Sequence, residues 1–542
     1  MSSPAFSGSS PGWGGGSPLT EAQQAQVDFW LTTLSPAEKL GQLFMVYFEG
    51  STLSAQLRQM INEWHVGGVI LYHITGNIES PAQVAGLVQS IQAEARLPLW
   101  VSIDQEGGAV VRLREGVTVF PSQMAVAATG SLDFARQMAQ GIGQELRAMG
   151  ITMNFSPVLD VNSNPDNPII GTRAFGSRPE QVAAFGLAMV EGYRQAGVVG
   201  TVKHFPGHGD TDIDSHLGLP TVLHPLDHLE QVELYPFREA IQAGCEAMMT
   251  AHVLVPALDP TRPATLSPVV MQTLLREKLG FGGVLITDSL TMGALDSHYR
   301  VAEAAEQALL AGADILLFGA DVGHTPAEAG VAYHHLLSLV ESGQISGQRL
   351  DQSLTRILSL KAAYGLLPST PVPHPLDCLA SPTQQNLARQ IAQASITLVR
   401  DPQQKLPIQA EKSLLVIWPR SAGNLGSALQ AHHPQAQTLP LALNPSQADI
   451  LQVQQLAATV DQVVVGSLQV ARYPQQRQMI QALPPDKLVV VALGSPYDLN
   501  GLPDIDTYLV GYGDGEATVA ALAEVLMGKR AASGQLPIEL EG

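Results

Sequence analysis

The chain has 542 residues and a net charge of −20, from 49 acidic and 29 basic side chains. Hydrophobic residues make up 45% of it and charged residues 14%, which excludes an intrinsically disordered chain and predicts roughly two to four folded domains. The acidic balance, without any run of lysines and arginines, also excludes the electrostatics of a nucleic-acid-binding protein.

The cysteines and the N-terminal stretch indicate an ordinary intracellular protein. Cys245 and Cys378 form no CxxC pair, so the sequence predicts neither a disulfide framework nor a thiolate zinc site. Residues 1–20 are rich in Gly, Ser and Pro and predict a flexible tail, since they lack the basic and apolar regions of a signal peptide. No apolar run reaches the length of about 18 residues that a membrane span needs. We therefore expect a cytoplasmic protein without a membrane partner or cofactor, and we expect a monomer.

Short apolar runs alternate with amphipathic segments in the first part of the chain. The runs lie at 41–48, 66–72, 99–106, 151–161, 199–205, 247–255, 283–290 and 313–320. Continuous apolar runs of this kind indicate strands buried on both faces, as in parallel sheets. Helical patterns separate them, for example at 55–64, 81–96, 133–150 and 267–280. These repeats predict an α/β fold, a (β/α)8 TIM barrel, over residues 21–366.

A second domain is predicted after the barrel. A helical pattern at 348–366 is expected to close the barrel, and the Pro-rich stretch PSTPVPHP predicts a linker over 367–384. Further apolar runs lie at 395–399, 414–418, 462–466, 487–493 and 507–512. They predict a smaller α/β sandwich domain at 385–542, in which few ionisable residues cluster.

Polar residues stand where several predicted barrel strands end. They are Asp104, Asp160, Lys203, His204, His252 and Asp288. Because barrel enzymes carry their chemistry at the C-terminal ends of the strands, the sequence predicts an active site there.

The stretch KHFPGHGDTDIDSH at 203–216 is dense in potential metal ligands. The stretch does not fit the pattern of a calcium-binding loop, because Ser215 occupies the position that needs a Gly and Thr221 the position that needs a bidentate Glu. The spacing of His204 and His208 suits a helical zinc motif, but Pro206 between them disfavours a helix. We predict no metal ligands here, with a metal site gathered from several strands as the alternative.

An organic acid–base site explains the same stretch. Asp214 lies two residues before His216, so on a loop the carboxylate can orient the imidazole while the other ring nitrogen faces a substrate. Asp288 at a strand end is either a helix N-cap or a nucleophile. An inward carboxylate and a separate proton donor match retaining glycoside hydrolysis.

The motifs together resemble one family. KHFPGHGDTDIDSH and the later ITDSLTMGAL resemble glycoside hydrolase family 3, in particular its NagZ-like β-N-acetylglucosaminidase branch. IDQEGGAVVRL, FSPVLDVN and NPIIGTRAFG follow in the order that the family shows. SITLVRD, GSPYDL and GQLPIEL are similar to the second domain of its longer members.

The resemblance implies a role for each matching residue. Asp288 matches the nucleophile, His216 the acid–base and Asp214 its partner. The residues that match the sugar-holding positions are Asp104, Arg112, Arg173, Lys203 and His204. His208, Asp210 and Asp212 match no functional position and are interpreted as loop structure.

The resemblance also implies the activity. We expect a retaining exo-β-N-acetylglucosaminidase, with the carbohydrate substrate a muropeptide or a chito-oligosaccharide. The alternatives are a β-glucosidase or β-xylosidase, a β-N-acetylglucosaminide phosphorylase, and a sugar-binding protein without catalysis. The chain departs from the family at Ala109, where an Arg is frequent, and this departure puts the packing of that loop or the aglycone preference in doubt.

Overall fold

The computed structural model describes residues 18–367 and 375–540. The strands in the first of these ranges are β1 (Phe44–Val46), β2 (Gly68–Ile70), β3 (Trp100–Ile103), β4 (Gln105–Gly107), β5 (Val110–Val111), β6 (Met153–Asn154), β7 (Val199–Phe205), β8 (Ala247–Thr250), β9 (Val284–Ile286) and β10 (Leu316–Phe318). Strands β4 and β5 form an antiparallel hairpin, and the other eight form one parallel sheet.

The parallel sheet closes into a barrel. Its strand order is β10-β1-β2-β3-β6-β7-β8-β9, and a parallel bridge between Ile286 and Ile315 joins its two ends. The predicted (β/α)8 barrel is therefore confirmed. The predicted run at 151–161 pairs with its neighbours only at Met153 and Asn154 and at Val158, because the proline at 157 has no N–H for a ladder.

Helices connect the barrel strands. They are α1 (Glu21–Thr33), α2 (Pro36–Gly41), α3 (Ala55–Asn62), α4 (Pro81–Glu94), α5 (Gln123–Ala128), α6 (Leu132–Ala148), α7 (Pro179–Gln195), α8 (Leu226–Gln231), α9 (Tyr235–Gln242), a helix at Val269–Lys278, α10 (Gly293–Asp296), α11 (Val301–Ala311), α12 (Ala327–Glu341) and α13 (Gly347–Ala363). Several begin at a Ser or Thr whose side chain accepts the N–H three residues on, as Ser54 does for Leu57.

A second sheet follows the barrel. Its strands are β11 (Thr397–Arg400), β12 (Leu414–Pro419), β13 (Gln437–Leu441), β14 (Gln462–Ser467), β15 (Leu488–Ala492) and β16 (Tyr508–Val510). Its helices are α14 (Pro382–Ser395), α15 (Leu425–Gln430), α16 (Gln447–Ala458), α17 (Pro474–Gln481) and α18 (Glu516–Leu526). The order is β11-β16-β15-β14-β12-β13, parallel except for β11.

Both faces of this sheet are buried. Successive strand residues point to opposite faces, so Val463 and Val465 pack in one apolar cluster and Val464 in another. The predicted α/β sandwich is therefore confirmed as a fold. Most of the predicted tail 1–20 and residues 368–374 of the predicted linker lie outside the described residues. The predicted boundary at 385 falls inside α14.

The second domain packs directly on the barrel. Met124, Ala125 and Ala128 of α5 belong to the apolar cluster of the second domain. The segment 535–539 hydrogen-bonds to barrel loops, with the Gln535 N–H on Ala128 O (2.8 Å) and the Ser177 N–H on Pro537 O (3.2 Å). Among the helices of the described ranges, none is both long and apolar enough to cross a membrane.

Candidate active site

A cavity of about 730 Å³ opens where the barrel strands end. Its lining residues lie in or after β2, β3, β5, β6, β7, β8, β9 and β10. The predicted residues in its lining are Asp104, Arg112, Arg173, Lys203, His204, His216 and Asp288. Asp214 reaches the cavity only through its contact with His216. The structure thus brings together all of the predicted site residues.

A buried charge network forms one wall of the cavity. Lys203 donates to Asp104 Oδ1 (2.9 Å) and lies 2.7 Å from Glu106 Oε1. Arg173 donates to both Glu106 oxygens, from Nε (3.0 Å) and from Nη2 (2.9 Å). Burial pushes the pKa of Glu106 upward, but Arg173 and Lys203 outweigh burial and hold it below its ordinary value. The network is therefore ionised at neutral pH.

The β4–β5 hairpin places Arg112 at the cavity. Gln105 is fixed by Asn154, which accepts its N–H and donates to its carbonyl (both 2.9 Å). The Gln105 side chain in turn accepts the Arg112 N–H at 3.0 Å. Arg112 Nη2 lies 3.6 Å from Asp104 Oδ2, and its guanidinium stands over the Tyr72 ring at 5.5 Å. Ala109, the departure from the family pattern, is an exposed residue of the hairpin turn.

Asp160 holds two histidines at the end of β7. Its Oδ2 accepts from His204 Nδ1 (2.7 Å), and its Oδ1 accepts the N–H groups of His204 (3.2 Å) and His208 (2.8 Å). Because Nδ1 of His204 is used by Asp160, its other ring nitrogen remains for the cavity. His208 is buried against Thr211 and Ser215, and burial lowers its pKa to about 4.

Asp288 follows β9, and one of its carboxylate oxygens accepts a hydrogen bond from the backbone of the next residue. The Ser289 N–H donates to Asp288 Oδ1 at 2.8 Å. His252 lies nearby, and its Nε2 donates to Ser289 O (2.7 Å). Burial pushes the pKa of Asp288 upward, but His252, His204 and the Ser289 N–H outweigh it and keep the pKa below its ordinary value. Asp288 is therefore a carboxylate at neutral pH with Oδ2 open to the cavity.

The loops that follow β9 and β10 are joined beside Asp288. Ser289 Oγ (2.5 Å) and Thr291 Oγ1 (2.7 Å) both donate to Asp321 Oδ2. The Gly319 N–H donates to Ser289 Oγ at 2.8 Å. Ser289, Thr291 and Asp321 line the cavity together with Asp288, so their hydrogen bonds fix the backbone that carries Asp288 at the cavity wall.

His216 and Asp214 form a contact at the cavity mouth. Asp214 Oδ1 accepts from both the ring Nδ1 (2.8 Å) and the backbone N–H (2.9 Å) of His216. The His216 side chain is 52% exposed. Its loop lies on the segment after Asp288: the Ala294 N–H donates to Ser215 O (3.0 Å), and a Cβ at Gly293 would come within 2.4 Å of His216 O. Only a glycine permits this approach.

Two residues of the site were missed in the sequence. Glu106 and Asp321 were given no role, yet Glu106 neutralises Lys203 and Arg173, and Asp321 ties two loops. Glu106 stands two residues after Asp104 in an extended segment, so alternation could have placed both carboxylates on one side. Nothing in the sequence near Asp321 distinguishes it from a solvated loop aspartate.

The arrangement suits chemistry on a polyhydroxylated ligand. Carboxylate acceptors and Lys or Arg donors alternate along one wall, which matches the hydrogen-bonding capacity of a ring of hydroxyl groups. A carboxylate with a free oxygen and an imidazole on a separate loop line the same cavity. Cleavage of a glycosidic bond with a covalent intermediate requires both a nucleophile and a proton donor, and these two groups can supply them.

Comparisons with known proteins agree with this geometry. Residues 36–360 match the family model described as glycosyl hydrolase family 3 N terminal domain. The chain is 32% identical to β-hexosaminidase A of Pseudoalteromonas piscicida, over 90% of this chain and 91% of that protein. It is 30% identical to a β-N-acetylglucosaminidase/β-glucosidase of Cellulomonas fimi, over 94% of each.

Solved structures show the same two-domain fold. A glycoside hydrolase family 3 β-N-acetylglucosaminidase from Paenibacillus sp. str. FPU-7 superposes with a TM-score of 0.87 at 40% identity, covering 94% of this chain and 99% of that one. The β-glucoside phosphorylase BglX superposes with a TM-score of 0.83 at 25% identity, covering 96% and 97%. With this family match, this level of identity and the same barrel and α/β sandwich, the chain belongs to glycoside hydrolase family 3 and is a glycoside hydrolase.

Proposed function

We propose that this protein is a retaining exo-β-N-acetylglucosaminidase that releases terminal N-acetylglucosamine from muropeptides or chito-oligosaccharides. The observation that carries the proposal is the pairing, across one cavity, of the ionised Asp288 with the Asp214–His216 contact. The name of the relative from Paenibacillus, a β-N-acetylglucosaminidase, supports the N-acetylated sugar as substrate, and the name of the relative from Pseudoalteromonas, a β-hexosaminidase, agrees with a hexosamine.

The reaction runs in two displacements. In the first, Asp288 Oδ2 attacks the anomeric carbon while the glycosidic C–O bond breaks and His216 gives a proton to the departing oxygen. In the second, His216 takes a proton from water, and the water oxygen attacks the anomeric carbon and releases Asp288. Both steps invert the anomeric carbon, so the product keeps the β configuration.

Asp214 positions the proton donor. Because its carboxylate accepts from Nδ1 of His216, the Nε2 nitrogen is the one that exchanges a proton with the glycosidic oxygen. The carboxylate also stabilises the imidazolium that forms when His216 takes the proton from water. Burial pushes the pKa of Asp214 upward, but its hydrogen bonds to His216 outweigh this and hold the pKa below its ordinary value.

The charged wall holds the terminal sugar. Asp104 accepts from sugar hydroxyls, and Lys203, Arg112 and Arg173 donate to them, with His204 completing the set. Asp104 and Lys203 are already joined at 2.9 Å, so the wall needs little rearrangement to receive a substrate.

Two variants test the mechanism. Asp288→Ala should lose turnover of 4-nitrophenyl β-N-acetylglucosaminide by a factor on the order of 10⁴ or more, because it removes the carboxylate that forms the glycosyl intermediate. His216→Ala should lose roughly 10²–10⁴-fold on alkyl glycosides and much less on 4-nitrophenyl glycosides, whose leaving group needs little protonation.

Asp212→Ala is the matched control, because this exposed aspartate lies on the same loop and is expected to leave turnover unchanged. An Asp288→Ala variant that retains substantial activity would overturn the nucleophile assignment. Comparison of aryl N-acetylglucosaminide, glucoside and xyloside substrates separates the proposed activity from the β-glucosidase and β-xylosidase alternatives. Binding of the sugar without turnover would instead support a binding protein.

A second candidate function is phosphorolysis at the same site. The proton donor is an imidazole and not a carboxylate, so a neutral donor in the glycosyl-enzyme does not repel an incoming phosphate. The similarity to a β-glucoside phosphorylase supports this candidate. Turnover of an N-acetylglucosamine donor with millimolar phosphate should then give a sugar 1-phosphate, and free sugar alone under these conditions would exclude it.

A further inference from the structure

A second group of potential ligands lies outside the active-site cavity. His228 belongs to α8, His224 precedes that helix, and Glu233 stands between α8 and α9. The two imidazoles are four residues apart and stack with their ring centroids 3.9 Å apart. One donor atom from each of the three residues lies within 4.8 Å of the other two. None of the three lines the cavity that holds Asp288.

Glu233 points to a missing partner in this group. Its side chain is only 2% exposed, and neither carboxylate oxygen has a hydrogen-bond partner among the described residues. The nearest basic atom is His228 Nε2 at 3.6 Å, which is beyond hydrogen-bond reach and is itself buried without a partner in the described ranges. A buried, unpaired carboxyl group is costly, and a cation between Glu233 and His228 would satisfy both.

Asp210 supplies the usual companion of a metal-bound imidazole. Its Oδ2 lies 2.6 Å from His224 Nε2, and its Oδ1 accepts from Ser163 Oγ at 3.1 Å. Histidines that bind metals commonly give their other ring N–H to a carboxylate, which fixes the tautomer and the ring orientation. With Nε2 engaged by Asp210, Nδ1 of His224 is the nitrogen left to bind an ion.

We propose that His224, His228 and Glu233 bind one divalent transition-metal ion, with Asp210 orienting His224 and water as the fourth ligand. Two imidazoles and one carboxylate favour Zn²⁺ over Mg²⁺ or Ca²⁺, which prefer oxygen ligands alone. Tetrahedral ligands about 2.0–2.1 Å from zinc lie about 3.3 Å apart, so the group closes with shifts of roughly 1 Å. His224 and His228 are partly exposed and can make these shifts.

The ion has a structural role. Asp210 lies on the loop that also carries Asp214 and His216, and Thr211 and Ser215 of this loop contact His208. A metal-bound His224 would hold Asp210 and thereby one end of the loop against α8. The site takes no part in the two displacements, so its existence does not depend on the proposed function.

Metal stoichiometry tests the proposal. Protein freed of metal by a chelator and then given excess Zn²⁺ before desalting should retain one zinc per chain and unfold at a higher temperature than the metal-free protein. Co²⁺ in its place should give the visible absorption bands of a four-coordinate site. His228→Ala and the isosteric Glu233→Gln should each retain no zinc and show no rise in the unfolding temperature.

His335→Ala is the matched control. His335 Nε2 lies 2.6 Å from Glu306 Oε2, a pair as short as that of His224 and Asp210, but it belongs to no three-ligand group in the described residues. This variant should bind zinc as the wild type does. The proposal is overturned if the wild type retains no zinc, or if His228→Ala and Glu233→Gln retain as much as the wild type.

Discussion

Glu106→Gln tests whether the charged wall depends on a balance of buried charges. The substitution keeps the shape of the side chain but removes its charge and turns one acceptor into a donor. Glu106 is 1% exposed and faces Lys203, which is 2% exposed, and Arg173, which is 12% exposed. Without the carboxylate, Lys203 keeps its contact with Asp104 but Arg173 loses its direct ion pair, and the new NH₂ group points at a cationic donor.

The expected cost follows from the contacts that are lost. Glu106 makes three charge-assisted contacts, at 3.0, 2.9 and 2.7 Å. Such hydrogen bonds contribute about 1.5–3 kcal/mol each, and removing one partner of a buried ion pair costs about 3–5 kcal/mol. We therefore expect Glu106→Gln to lower the free energy of unfolding by about 3–5 kcal/mol at pH 7.

The effect has a defined pH dependence. The folded pKa of Glu106 lies below its ordinary value, so its stabilisation is fully present above the unfolded pKa of about 4.3. It is lost as the pH falls through the lower, folded pKa. The difference between wild type and Glu106→Gln should therefore be constant from pH 7 to pH 5 and shrink below about pH 4.

Urea-induced unfolding, followed by circular dichroism and by loss of activity, measures the cost. Glu94→Gln is the control: it breaks an Arg58–Glu94 pair in which the Arg58 side chain is 51% exposed, and such pairs contribute about 0–1 kcal/mol. The reasoning is refuted if Glu106→Gln and Glu94→Gln unfold at the same urea concentration.

Two further predictions concern the loop of His216 and a buried lysine. Gly293→Ala should lower kcat, because its Cβ would lie 2.4 Å from His216 O. Gly347→Ala is the control, because a Cβ there meets nothing within 4 Å and kcat should be unchanged. Equal kcat values for the two variants would show that the loop does not need the close approach at Gly293. Burial lowers the pKa of Lys361 to about 7, while an unfolded lysine keeps its proton to about pH 10. Thermal stability should thus rise from pH 7 to pH 9 in the wild type and not in Lys361→Met, and parallel pH profiles would contradict this.

The fold was predictable because its signals are local. The run at 199–205 is apolar and β-branched, and the structure has β7 at Val199–Phe205, the same residues. The two faces of the second sheet follow from strand alternation alone. The extent of β6 was predicted too long, because its apolar residues continue to 161 while the proline at 157 interrupts the pairing after Asn154.

Most members of the candidate site could be predicted from the sequence, whereas most of their long-range partners could not. Asp104, Lys203 and Asp288 stand at strand ends, and a closed barrel brings strand ends together whatever their distance in sequence. The pairing of Asp160 with His204, or of Glu106 with Arg173, joins residues far apart in the chain. Such pairs depend on the tilt of strands and the path of loops, and a single sequence gives neither.

The contact of the segment 535–539 with the barrel joins parts of the chain that are synthesised at different times. The last barrel strand is synthesised about 200 residues before this segment, an interval of roughly 10–40 s at 5–20 residues per second. In that interval the nascent barrel can close its sheet, but Ser177, just beyond Arg173 in the chain, still lacks Pro537 as a backbone partner. This backbone contact, four residues beyond Arg173, can therefore form only when the second domain has been translated.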